Sequence, residues 1–428
     1  MAPPTVFKEK ALPLGRSPAY RWVILTVAYL GVFGAMGLSR FGYSAVLPDM
    51  QRALGLTGAQ AGSLASWNLA AYMLMALVGG FLASRFGPRL VVTAGMLTTT
   101  AGLLLTGFSD SLATASAARF LTGLGNGMVF APSLALLVAW FPASRLGLAS
   151  TVVSSATGLG LVVVGPVVPR LLDTAGGSWR VAWYFFAAIT ALMVVLTVTF
   201  QRNRPQEVAL AGTPTAPGRR SLRSDLRSIL NSRYTWHLGV IYLLYGFAYV
   251  IYLTFFQKRL TADLDFSSKS AGNLFLLAGV CSIAVGVFGG VLSDRIGRGR
   301  ALALVLALQG VAACLFGLRL GTAALVVSAV LFGLGVFSVA GLIGAACGDG
   351  FGARVVFTAL GFVTIFIGFG QALAPFVGGY LEDRFGSLGP SYLLSAGIFA
   401  AAALAALFLP DVRLGCSPRD AGAQRPST

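Results

Sequence analysis

Apolar residues in this chain fall in long runs, not in the alternating or helical stripes of a soluble fold. Twelve runs reach the roughly 20 apolar residues that a membrane-crossing helix needs. They are predicted at about residues 22–47, 61–83, 90–108, 113–141, 149–168 and 181–200, then 236–256, 271–292, 301–318, 323–346, 355–380 and 390–409. The longest polar stretch divides them six and six. The expected organisation is an N-terminal segment 1–21, a six-helix bundle 22–200, a linker 201–234, a second six-helix bundle 235–409 and a tail 410–428. The first run is longer than the apolar core of a signal peptide and is expected to be retained. In the linker, Leu222, Leu226 and Ile229 recur at helical spacing among arginines. That pattern fits a short helix on the membrane surface or a solvated linker that anchors orientation.

Composition sharpens this reading. Of 428 residues, 56% are hydrophobic and only 11% charged, against about a quarter charged in a soluble domain. A disordered chain, a coiled coil and a soluble globule are excluded. The 54 glycines suit closely packed membrane helices. Four cysteines, Cys281, Cys314, Cys347 and Cys416, show neither metal spacing nor a disulfide framework. No metal and no cofactor are expected.

The chain carries 31 Lys and Arg against 14 Asp and Glu, a net charge of +17. Its basic residues lie between apolar runs, so they point to membrane topology and anionic lipid, not nucleic acid. With both termini in the cytoplasm, the outer loops hold only Arg52, Arg170, Arg180, Lys258, Arg259, Lys269, Arg319 and Arg384. Arg40 and Arg119 lie inside spans, and every other Lys and Arg is cytoplasmic, as the positive-inside rule favours. A bacterial inner membrane is the expected location.

The two halves repeat a segment. Gly80, Leu82, Arg85 and Gly87 align with Gly290, Leu292, Arg295 and Gly297 at an offset of 210 residues. Arg89 and Arg298 flank the two copies. This is an internal duplication, at the same cytoplasmic loop of each half. The loop segment resembles the Gly-x-x-x-Asp-Arg-x-Gly-x-Arg signature of the major facilitator superfamily, and the chain resembles that family over its full length. The second copy keeps the acid as Asp294; the first has Ser84. Other segments are similar to the family too: Arg119-Phe-Leu-Thr-Gly123-Leu-Gly125-Asn126-Gly127, Gly165-Pro166, Trp179-Arg180, and an echo of the loop signature at Gly379-Tyr-Leu-Glu-Asp383-Arg384-Phe-Gly386. The resemblance implies an all-α membrane protein. Two six-helix bundles would be related by a pseudo-twofold axis, twelve transmembrane helices with inverted three-plus-three repeats in each half. It implies alternating access around a midplane site, with Gly80, Arg85, Gly87, Arg89, Gly290, Asp294, Arg295, Gly297 and Arg298 as a conformational latch. Ser84 weakens the first copy of that latch.

Arg40 is the sharpest single residue. An arginine inside a span is costly and faces a wet cavity, unless it snorkels to the headgroups. Arg119 is a second such cation, or a packing residue. All 14 acids lie at or beyond span ends. A cavity with arginines and no carboxylate favours anions, and the guanidinium fork matches a carboxylate. Tyr242, Tyr245, Tyr249 and Tyr252 share one face of the seventh span, as cavity lining or as packing. Tyr245 and Tyr249 lie deepest. Tyr43, Asn68, Asn126, Asn273 and Gln371 complete the candidate substrate-binding set, the amides serving equally as helix–helix glue. His237 is expected at the membrane interface.

No lysine follows a glycine, so a P-loop is impossible. No nucleophile elbow or histidine–carboxylate cluster suggests an enzyme. The leading expectation is a monomeric secondary active transporter for a small, monocarboxylate-like organic anion, coupled to protons or to a counter-anion or working as a uniporter. An efflux carrier for neutral or lipophilic compounds is the alternative. A non-transporting sensor on the same fold is a third.

Overall fold

The computed structural model of the chain describes residues 19–174, 176–203, 227–285, 293 and 295–410. Twelve long helices follow one another among them, with no strand. In the first half these are α1 (Tyr20–Leu54), α2 (Gly58–Phe86), α3 (Pro88–Phe108), α4 (Leu112–Trp140), α5 (Ala143–Thr174) and α6 (Arg180–Phe200). The second half holds α7 (Arg233–Thr254), α8 (Ser268–Val285), α9 (Arg298–Gly317), α10 (Thr322–Val336), α11 (Ser338–Phe385) and α12 (Gly389–Leu407). Most of the linker, both chain ends, Gly290 and Asp294 lie outside the described residues. Of the linker's helical pattern, Ile229 is described and fully buried.

Local chemistry sets the helix ends. Thr57 and Gln60 form a reciprocal capping box at the start of α2, which satisfies two orphan backbone donors. Ser111 and Thr114 do the same for α4. Gly87 and Gly297, the paired glycines of the duplicated segment, have φ of +85° and +90°. Both stand just before a helix, where only glycine turns the chain without strain. The sequence repeat is thus a repeat of backbone conformation.

The first helix is not a regular rod. Phe33–Phe41 is π-helical, between regular segments Tyr20–Val32 and Gly42–Leu54. Such turns shift the side chains that follow and cluster at functional sites. A shorter π-helical turn, Arg259–Asp263, follows α7 in the second half. The tenth predicted span is broken at Phe337, and its second part continues as helix into the eleventh. Tyr234 meets Ala346 while Phe255 meets Gly378, so the chain doubles back within α11.

Large apolar side chains, among them Phe81, Leu105, Val195, Leu373 and Leu404, point outward. This is the surface of a protein immersed in lipid. The Tyr20 hydroxyl donates to the Phe200 carbonyl at 2.6 Å, which marks one end of the bundle as the terminus end. The halves meet mainly along α2–α11 and α5–α8, and their closest approaches lie toward the opposite, far end. There the Asp383 carboxylate accepts from the backbone N–H groups of Gly58 (2.5 Å) and Ala59 (2.8 Å). An acid of one half thereby caps a helix N-terminus of the other.

Candidate functional site

Arg40 ends the π-helical segment of α1 and reaches across to the second half. Its Nη2 donates to the Tyr249 hydroxyl at 2.8 Å and to Gln371 Oε1 at 3.2 Å. Gln371 Nε2 donates back to the Tyr249 hydroxyl at 2.8 Å. The three form a closed triangle between α1, α7 and α11. The guanidinium also lies over the Tyr72 and Tyr249 rings, 5.8 and 5.9 Å from their centroids, where ring faces attract a cation. Among the described residues no carboxylate touches Arg40. Its charge is held by a phenol, an amide and aromatic faces.

Tyr72 was not among the residues the sequence singled out. It sits four positions after Asn68 on α2, hence on the same helix face, and that spacing was the available signal. No protein group hydrogen-bonds the hydroxyls of Tyr72 or Tyr242 among the described residues. Both rings stand on the terminus side of Arg40.

The tyrosine stripe divides by role. Tyr249 faces Arg40. Tyr245 is stacked between Tyr242 and Tyr249, at centroid distances of 6.0 and 4.8 Å, and its hydroxyl donates to the Val336 carbonyl. The break in the helix after Val336 frees that carbonyl. Tyr252 stacks on Phe332 at 3.7 Å and bonds Ser328, so it is packing. Tyr249→Phe is therefore expected to weaken substrate binding roughly 10- to 150-fold, since hydrogen bonds to charged groups contribute about 1.5–3 kcal/mol. Tyr245→Phe should leave affinity unchanged and lower the melting temperature, because it strands a buried carbonyl. Paired binding and unfolding curves check both.

The remaining candidates separate from this cluster. Arg119 is 1% exposed, with its guanidinium 4.9 Å from the Tyr43 ring and 5.2 Å from Trp183. Its Nη1 donates to the Ser39 carbonyl at 3.0 Å. The Tyr43 hydroxyl donates to the Ala61 carbonyl at 2.5 Å. Asn68 donates to the Arg119 carbonyl at 2.9 Å, and Asn126 Oδ1 accepts from Ser39 and Thr99. These two asparagines bind helices of the first half to one another. Asn273 is exposed on α8, away from Arg40. His237 Nε2 lies 2.8 Å from the Ala405 carbonyl near the terminus end. Of the latch residues, Gly80 and Arg85 are exposed. Arg89 donates to the Val198 carbonyl and Arg298 to Asp349, both within their own halves.

Twelve apolar helices in two bundles, with a cation at the seam between them, define a multi-pass membrane carrier. A family model described as Major Facilitator Superfamily matches residues 29–356 and 238–426. The chain belongs to that superfamily, and it is a non-enzymatic transporter. It is 27% identical, over 93% of its length and 96% of the relative's, to a Cupriavidus necator protein named as a probable sulfoacetate transporter. It is also 27% identical to human monocarboxylate transporter 11, over 93% of this chain and 84% of that one. Its fold is similar to that of a bacterial homologue of the human lysosomal transporter Spinster, solved in an inward-facing, unoccupied conformation. The TM-score is 0.71 at 15% identity, covering 92% of this chain and 96% of the other.

Proposed function

We propose that this chain is a secondary carrier that moves a small organic anion, of monocarboxylate type, by alternating access. The observation that carries the reading is the Arg40–Tyr249–Gln371 triangle: a carboxylate-free cation at the seam of the two halves, bonded across it. An anion displacing the Tyr249 hydroxyl and Gln371 amide from Arg40 would engage both halves at once. Binding would then be coupled to their rearrangement. Tyr72 and Tyr242, with hydroxyls to spare, would line the approach from the terminus side. The named substrates of the relatives, sulfoacetate and monocarboxylates, are organic anions and support the same class. Both termini are assigned to the cytoplasm of a bacterial inner membrane, on the basic-residue bias, and the duplicated Gly–Arg segments act as the latch on that side. The chain is taken to work as a monomer. Among the described residues no buried acid accompanies Arg40, so exchange of anions fits the site better than a proton relay through side chains.

The test is thermal unfolding of detergent-purified protein against small carboxylates, phosphate esters and lipophilic compounds. A ligand of the folded state raises the melting temperature by mass action. A carboxylate should stabilise the wild type and fail with Arg40→Gln. Stabilisation by lipophilic compounds alone, equal in both proteins, would replace this reading with the efflux carrier.

A further inference from the structure

A second feature adjoins Arg40 on its far-end side. Arg40, Tyr43, Ser44, Asn68, Arg119 and Tyr249 help wall a cavity of about 20 Å³, the space that one water-sized group needs. Two arginines line it. Neither has a carboxylate partner among the described residues. Two polar atoms of its wall residues, Arg119 Nε and Ser44 Oγ, are buried without a hydrogen-bond partner among the described residues. Arg119 is 1% and Ser44 2% exposed. Ser44 is helical, yet its hydroxyl does not take the usual bond to the carbonyl one turn back.

The cost of this arrangement is unusual. A buried charge without a partner and an unmade buried hydrogen bond both destabilise a fold. The Ser39 carbonyl accepts one bond and the faces of Tyr43 and Trp183 attract the guanidinium, but none of the three carries a formal negative charge. A water molecule would satisfy the donors and leave two like charges uncompensated. A monatomic anion satisfies the donors and offsets the charges. The cavity is too small for a carboxylate with its carbon skeleton.

We propose that this cavity is a halide site, in which chloride lies between Arg40 and Arg119 and accepts from Arg119 Nε and the Ser44 hydroxyl. It is distinct from the organic-anion position, which opens on the terminus side of Arg40 toward Tyr72 and Tyr242. The two share Arg40 and Tyr249, which stand between them. A bound halide would hold Arg119 and Arg40 apart and set the charge that the organic anion meets.

The experiment uses full-length protein in a sulfate background, with chloride and bromide titrated at constant ionic strength and no organic anion present. Both halides should raise the melting temperature along a saturating curve. Ser44→Val puts methyl groups into the cavity and removes a donor, so it should weaken the halide response about tenfold or more. Its response to carboxylates should persist, because Ser44 does not face the terminus side. Arg119→Gln should act likewise, but Arg119 also packs under Tyr43 and Trp183, so Ser44→Val carries the test. Equal melting temperatures in sulfate and chloride overturn the site. A halide response unchanged in Ser44→Val does so too. A response to succinate over butyrate, with none to bromide, also overturns it and gives the cavity to the second head of a two-headed substrate. Loss of carboxylate binding in the wild type would sink the proposed function and leave the halide result standing.

Discussion

Arg40→Gln is expected to reduce organic-anion uptake by reconstituted protein to background, with affinity weakened roughly 10- to 150-fold. The range follows from the about 1.5–3 kcal/mol carried by a charge-assisted hydrogen bond. Glutamine keeps a polar group within reach of Tyr249 but removes both the charge and the fork. Arg40→Lys should restore only part of the loss. Lysine returns a point charge that needs stronger dehydration and cannot hold two oxygens in one plane. The comparison matters because a structural role for Arg40 would show as lost expression and a lowered melting temperature in both variants. A binding role shows as a shifted concentration dependence with the protein intact. Uptake at the wild-type level in Arg40→Gln would remove the anion reading altogether. Uptake of a neutral compound unaffected by the change would point to the efflux alternative.

Arg40 was legible in the sequence because its environment is improbable. A guanidinium in an apolar run has few tolerable surroundings, so its type alone nearly fixes its setting. The twelve spans were legible for a related reason. Lipid imposes length and hydropathy on each helix separately, so no tertiary information is needed. The duplicated segment was readable at the level of conformation, since Gly87 and Gly297 share the same positive-φ backbone conformation. The partners of Arg40 were less accessible. Gln371 and Tyr249 could be named as polar groups at depth, but Asn68, Asn126 and Asn273 had the same signature. Only packing distinguishes them: Asn68 and Asn126 are consumed by Arg119, Ser39 and Thr99, and Asn273 faces outward. Tyr72 was passed over because a lone tyrosine in a span is unremarkable until a cation is placed beside it. The π-helical turns of α1 and the break at Phe337 leave no mark in hydropathy. Both depend on how neighbouring helices share carbonyl groups, as Tyr245 and Val336 do.

Closure of the far end is the second place where a small change should have a large effect. Along α2 and α11 the backbones touch with nothing between them. A Cβ on Gly62 would lie 2.0 Å from the Pro375 carbonyl oxygen, and one on Gly379 would lie 1.9 Å from the Gly58 oxygen. The obstacle is main chain in each case, so no side-chain rotation relieves it, and the helices must part. Gly62→Ala is therefore expected to destabilise the far-closed conformation while costing the far-open one nothing. Overpacking typically costs about 1–3 kcal/mol, which shifts a two-state population about 5- to 150-fold. Asp383→Ala should act in the same direction, since it removes the carboxylate that caps α2 from across the seam. Ser66 reports the change, because its hydroxyl accepts from the Phe376 N–H at this contact, 3.2 Å away. A cysteine at Ser66 should react with a membrane-impermeant thiol reagent from the far side about tenfold faster or more when Gly62→Ala is added. Binding of the organic anion, centred on Arg40, should persist while uptake falls. Unchanged labelling with unchanged uptake would show that α2 and α11 slide past this contact without separating. The far end would then not be the gate that the glycine contacts make it.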